Sequence, residues 1–139
     1  MAKKKKSASK APVARAFLLN LDAGTVKGDT LRAVLDAQGI AARDIRPEQL
    51  GDPVGAVARL VGFRPSLAPY VGEVPECEFM LLCDVGNKQM DKLLAAMREA
   101  DCIVDRKCVL TKYNKTWPLI DLVKQVDVEH TQNANTAAS

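Results

Sequence analysis

Apolar residues recur with helical spacing in two segments of the second half of the chain. From Met90 to Met97, and again from Leu119 to Val126, they stand at positions i, i+3, i+4 and i+7. Such a stripe occupies one face of a helix, so both segments are predicted to be helices that pack against a sheet. The first half predicts two more helices, one that ends near Gly39 and a shorter one that begins after Pro53.

Two other segments are almost uninterrupted apolar runs, which is the pattern of strands covered on both faces: Phe17 to Leu21 and Phe79 to Cys83. Shorter strands are predicted from Ala42 to Arg46 and from Lys107 to Leu110. Strands that alternate with helices indicate an α/β fold with one mainly parallel four-stranded sheet flanked by helices. A ferredoxin-like α+β arrangement of the same elements, with antiparallel pairs, is the alternative, and the pattern does not separate the two.

The order strand, helix, strand, helix occurs twice, in halves that span residues 14–62 and 77–130. With an offset of 62 residues, the segment from Phe17 to Gly24 aligns with the segment from Phe79 to Gly86. This spacing suggests a duplicated unit within one domain. Residues 63–76 contain three prolines and one glycine, so they are predicted to connect the halves without a long helix and to pack over the core.

The chain of 139 residues, of which 47% are hydrophobic and 27% charged, is long enough for one globular domain with a core. The formal net charge of +3 is unevenly distributed. Residues 1–15 hold six of the 20 basic residues and none of the 17 acidic ones, which leaves 14 basic residues against 17 acidic ones elsewhere. The basic character is therefore predicted to belong to a tail rather than to the folded surface.

Both ends of the chain are predicted to be disordered tails. Residues 1–13 are basic and residues 131–139 are uncharged and polar, and neither segment has enough apolar surface to pack. The apolar run near the amino end is interrupted by Arg15, Asn20 and Asp22, so it lacks the core of a signal peptide. No segment has the ~20 apolar residues of a membrane span, and we expect a cytoplasmic protein without a membrane partner.

Polar turns follow three of the predicted strands, and in a parallel sheet ligands bind beyond the carboxyl ends of the strands. These turns include Asp22, Asp84 and Thr111. In a functional interpretation they form one polar crevice, in which Lys115 and the N–H groups that open the last helix hold an anion. In a structural interpretation the Asp and Asn side chains only bond their own turns, and Trp117 anchors the core rather than contacting a partner.

The sequence offers no catalytic set. The four cysteines lack the C-x-x-C spacing of zinc and redox sites, so they are predicted to be reduced structural residues. The one histidine, His130, has no evident nucleophile to serve. No glycine-rich phosphate loop, carboxylate pair or metal motif occurs, so neither a cofactor nor a metal is predicted. A binding protein is favoured over an enzyme.

One segment resembles the signature Leu-Thr-x-x-Asn-Lys-x-Trp of a bacterial and archaeal family, domain of unknown function 3783. It reads Leu110-Thr111-Lys112-Tyr113-Asn114-Lys115-Thr116-Trp117. An amphipathic helix ending near Glu-His follows in the family, and the resemblance extends here from Glu78 to His130. It departs at Pro118, where the family usually has a capping Thr. The resemblance implies no established activity, but it implies a surface formed by Thr111, Asn114, Lys115 and Trp117.

Two functions remain open. The first is a small cytosolic binding or regulatory module, in which the surface at residues 110–119 contacts an unknown protein or a small anionic ligand. The alternative is a nucleic-acid-associated protein, in which phosphate groups bind weakly to the tail lysines Lys3, Lys4, Lys5 and Lys6. The excess of acidic residues outside the tail favours the first function.

The tail hypothesis predicts that any nucleic-acid affinity resides in residues 3–6. Replacing these lysines with Ala removes the cations that neutralise phosphates, so binding to mixed-sequence oligonucleotides at low salt is expected to vanish. A mobility-shift assay on the full chain measures this. Binding that survives the substitutions would place a nucleic-acid site in the folded part of the protein.

Overall fold

The computed structural model describes residues 13–138, with side chains described for residues 13–132. The predicted four strands and four helices are all present, and a short 3-10 helix that was not predicted follows the second strand. In chain order the elements are β1 (Arg15–Leu19), α1 (Val26–Ala37), β2 (Ala41–Asp44), the 3-10 helix (Pro47–Gly51), α2 (Val54–Val57), β3 (Phe79–Cys83), α3 (Asn87–Glu99), β4 (Arg106–Val109) and α4 (Leu119–Ala138). No helix in this described part of the chain is long and apolar enough to cross a membrane.

The four strands form one sheet in the order β2-β1-β3-β4. The outer pairs, β1 with β2 and β3 with β4, are parallel, which confirms the mainly parallel sheet. The central pair is antiparallel, with Leu18 opposite Met80. The carboxyl ends of β1 and β2 therefore lie at the opposite edge of the sheet from those of β3 and β4. A single crevice lined by the Asp22, Asp84 and Thr111 turns does not form, and that expectation was wrong.

Side chains of the two central strands alternate between two apolar cores, which explains why their sequences show no polar face. Alternate residues such as Phe17 and Leu81 pack on one side with α2 and α4. Their neighbours, such as Leu18 and Leu82, pack on the other side with α1 and α3. The result is a sheet between two helical layers, with the helix residues predicted from the apolar spacing buried against it, including Leu93, Met97, Leu119 and Val123.

The first residues of α2 and α4 are joined across the molecule. Val54 N–H donates to the carbonyl oxygen of Trp117 at 2.8 Å, and Leu119 N–H donates to that of Asp52 at 2.9 Å. Pro53 and Pro118 pair between these two bonds as an isolated antiparallel bridge. The first N–H groups of a helix have no partner within the helix, so each helix start satisfies the other. This bridge ties the two halves together outside the sheet.

The strand offset and the end of the last helix differ from the expectation, whereas the connector agrees with it. β1 begins at Arg15 and β3 at Phe79, 64 residues apart rather than 62, so the duplication itself stays a prediction. Helix α4 continues through Ala138, where residues 131–139 were expected to be disordered, because no Gly or Pro follows Val126 to stop it. The connector at residues 63–76 has no helix or strand, and it packs through Tyr70, whose N–H donates to the carbonyl oxygen of Glu48 at 3.1 Å.

Candidate functional site

The turn between β4 and α4 is closed by its own side chains. Asn114 Oδ1 accepts from Thr111 N–H at 2.9 Å, and Asn114 Nδ2 donates to the carbonyl oxygen of Val109 at 3.1 Å. Thr111 Oγ1 accepts from the N–H groups of Tyr113 and Asn114, each at 3.2 Å. Two of the four residues of the predicted surface, Thr111 and Asn114, therefore use their polar atoms to fix the turn, as the structural interpretation expected.

The other two predicted site residues, Lys115 and Trp117, face outward from this fixed turn. Lys115 Nζ lies 5.9 Å from the centroid of the Phe63 ring, a cation–π distance. Trp117 is 38% exposed, so it is not the buried core anchor of the structural interpretation, and Tyr113 is 73% exposed. Because Asp52 occupies the first N–H of α4, that helix start is not freely available to an anion. The turn thus presents two aromatic side chains to solvent.

One cavity in the first half of the molecule is lined by several basic side chains. Its volume is about 440 Å³, and four arginines from separate places in the chain line it. They are Arg15, Arg43, Arg46 and Arg59. The apolar floor is formed by Phe17 and Val57, so the cavity lies on the face of the sheet that α2 and α4 cover.

The cavity exists because α2 is short. On this face α4 runs for 20 residues, and the ion pair between Arg106 and Asp127 ties it to β4. The corresponding helix of the first half, α2, has only four residues and ends at Val57. Arg43 of β2 stands beside Phe17 of β1 in the parallel register, and both line the cavity. Arginine side chains occupy space here where a longer helix would bury apolar ones.

Few carboxylates balance these arginines. Arg15 pairs with Asp84 at 3.3 Å, and its guanidinium also donates to the carbonyl oxygen of Ala58. Arg46 pairs with Glu48 at 2.9 Å. The one acidic residue in the cavity lining, Asp44, is paired outside it with Arg32 at 2.6 Å. Within the described residues neither Arg43 nor Arg59 forms an ion pair, so the cavity carries excess positive charge.

The backbone at Arg59 is in the left-handed region, with φ of +61°. Arg59 follows the last turn of α2, a position where glycine is favoured because it has no Cβ. The other non-glycine residues with positive φ in the described chain are Asn20, Asp84 and Asp101, which are types that tolerate this region. An arginine here costs about 1 kcal/mol relative to glycine, and such strain is typical of residues kept for function.

The charge pattern of the sequence did not indicate these arginines, because the excess of basic residues lies in the tail. The four residues are spread from position 15 to position 59, and only the pairing of β1 with β2 and the end of α2 bring them together. A usable signal was present in the strands themselves. Arg15 directly precedes an apolar run, and Arg43 lies within a predicted strand, where its side chain is exposed.

The cysteines show no reactive thiol. Burial raises the pKa of Cys83 to about 11 and that of Cys108 to about 12. Burial also raises the pKa of Cys77 and Cys102. Thiols with raised pKa stay protonated at neutral pH and are poor nucleophiles, which agrees with a structural role. The tail lysines at positions 3–6 lie outside the described residues, and their role stays a prediction.

Comparison with known proteins relates a segment in the second half of the chain to a family. Residues 78–132 match the family described as Domain of unknown function (DUF3783), which confirms the resemblance. No curated protein and no solved structure matches the chain. The matched segment contains β3, α3, β4 and the turn at residues 110–119, whereas the four cavity arginines precede it. Residues 78–132 of this chain are therefore similar to the DUF3783 family.

Proposed function

We propose that this protein is a small binding module that holds an anionic ligand in the cavity lined by Arg15, Arg43, Arg46 and Arg59. The observation that carries the proposal is that Arg43 and Arg59 face this cavity with no ion pair among the described residues. A guanidinium group offers N–H donors in a planar fork that fits a phosphate or a carboxylate. The cytoplasmic location expected from the sequence is part of this proposal.

The strained backbone at Arg59 supports the same function. If the side chain served only to solubilise the surface, glycine or asparagine would do so at this position without the strain. A positively charged side chain that reaches the cavity gives a reason to keep arginine. The Arg15 guanidinium donates a hydrogen bond to the carbonyl oxygen of Ala58, the residue before Arg59. This bond holds the end of α2, and with it the backbone of Arg59, next to Arg15.

The proposal predicts opposite effects of Arg59→Gly on binding and on stability. Loss of one charged hydrogen-bonding group is expected to weaken binding of inorganic pyrophosphate at least about tenfold, measured by isothermal titration calorimetry. Relief of the backbone strain is expected to leave the free energy of unfolding in urea unchanged or to raise it by about 1 kcal/mol.

Asp101→Gly is the matched control. Asp101 also has a positive φ, of +58°, just after the end of α3, and it lies away from the cavity lining. This variant is expected to gain stability in the same way and to bind pyrophosphate as the wild type does. Pyrophosphate binding by Arg59→Gly with wild-type affinity would contradict the proposed function.

A second function has its own support in the turn at residues 110–119. Hydrogen bonds of Thr111 and Asn114 fix this turn, on which Tyr113 and Trp117 are exposed and Lys115 is partly buried. Exposed aromatic residues on a rigid turn are typical of contacts with a partner protein. We infer that the DUF3783 segment contacts a protein partner here, separately from the anion cavity.

Trp117→Ala tests this partner surface. Because Trp117 is 38% exposed, its removal is expected to cost less in urea unfolding than the roughly 3 to 5 kcal/mol of a fully buried Trp. A protein that co-purifies with the tagged wild type from its own cells is expected not to co-purify with the Trp117→Ala variant. Lys124→Ala, an exposed change on α4, is the control and should keep it. A Trp117→Ala protein that retains every partner would contradict the proposal that this surface contacts a partner.

A further inference from the structure

A second cavity adjoins the arginine cavity and differs from it in character. Its volume is about 500 Å³, and Arg46, Gln49, Val57 and Arg59 line both cavities. The rest of its lining consists of Asp52, Ala56, Leu60, Phe63 and Pro65. A ligand that spans both cavities would meet cations at one end and an aromatic ring at the other.

The aromatic wall of the second cavity is held in place by the fold. A Cβ at Gly55 would lie 2.7 Å from the Phe63 ring, so only glycine in α2 allows the ring to pack this closely. Phe63 N–H also donates to the carbonyl oxygen of Leu60 at 3.3 Å. The ring is half-buried. The ring is therefore fixed against Gly55, and a flat group that stacks on it would also lie near Lys115 Nζ, which is 5.9 Å from the ring centroid.

Asp52 adds a carboxylate to the lining of the second cavity. It is 7% exposed, and its Oδ1 accepts from Ser66 N–H at 2.8 Å. The other carboxylate oxygen accepts no hydrogen bond from the described residues. This oxygen is reached by solvent, so it can accept an N–H group of a ligand in place of water, and the negative charge of the carboxylate repels a phosphate. The two cavities therefore orient a ligand, with its anionic end among the arginines and an N–H group at Asp52.

We propose that the ligand is a free nucleoside phosphate, an inference that rests on the proposed anion-binding function. The phosphate groups bind among Arg15, Arg43, Arg46 and Arg59, and the base stacks on Phe63 and donates an N–H group to Asp52. Inorganic phosphate bound among the arginines would place no atoms in the second cavity, whereas a nucleotide would place its base there. Each cavity falls within the range of about 300 to 1,000 Å³ that is usual for small-molecule sites.

Calorimetric titrations of the full chain with ADP, GDP, CDP, UDP and inorganic pyrophosphate test this proposal. At least one nucleotide is expected to bind about tenfold or more tightly than pyrophosphate, because stacking and the hydrogen bond to Asp52 add to the phosphate contacts. Phe63→Leu is expected to reduce that nucleotide to the affinity of pyrophosphate while leaving pyrophosphate binding unchanged. Leu67→Ala, a change at a fully exposed residue of the same connector, is expected to alter neither.

The outcomes separate this proposal from the function on which it rests. Pyrophosphate binding without any preference for a nucleotide would overturn the nucleoside phosphate and leave the anion site standing. A nucleotide preference that survives Phe63→Leu would overturn the role of the second cavity. No binding of either pyrophosphate or nucleotides would overturn both proposals.

Discussion

The antiparallel pairing of β1 with β3 is the constraint on which the rest of this structure depends. All five residues of β3 are buried, and so are four of the five residues of β1. Each half alone would expose one of these apolar strand edges to water, which is a site of aggregation. Pairing the edges removes that hazard and points the two halves in opposite directions. The bridge between Pro53 and Pro118 then joins the starts of α2 and α4 on one face.

The difference between the two halves arises from the lengths of α2 and α4. A helix of 20 residues covers the face beside β3 and β4, whereas a helix of four residues leaves the face beside β1 and β2 partly open. The open region is lined by four arginines around a floor of Phe17 and Val57. Arg59 ends the short helix in a strained conformation, so the feature that limits α2 also supplies one of the cations.

The sequence predicted the elements well because apolar spacing reports directly which residues are buried. It did not predict the direction of the central strand pair, since a strand buried on both faces has the same composition in parallel and antiparallel pairs. The conformation of the turn at Thr111 and Asn114 followed from the local hydrogen bonding of these residue types. The exposure of Trp117 did not, because it depends on how the turn docks against α2.

Counting the charged residues in the sequence does not reveal the arginine cavity. The net charge of the chain outside the tail is negative, and a sum over residues does not show where the charges lie. Arg15 and Arg43 meet only because β1 and β2 pair in parallel, and Arg59 joins them only because α2 ends early. The grouping is a property of the tertiary structure, which local patterns do not encode.

The most direct measurement of the central claim, that this cavity binds an anion, is an NMR titration of the arginine side-chain Nε–H resonances with inorganic pyrophosphate. If the cavity binds pyrophosphate, the resonances of Arg43 and Arg59 are expected to shift and to saturate with one common Kd. Arg98, which is exposed on α3 away from the cavity, should not shift. Resonances that remain unmoved, or that shift equally in Arg98 and the cavity arginines, would contradict the account.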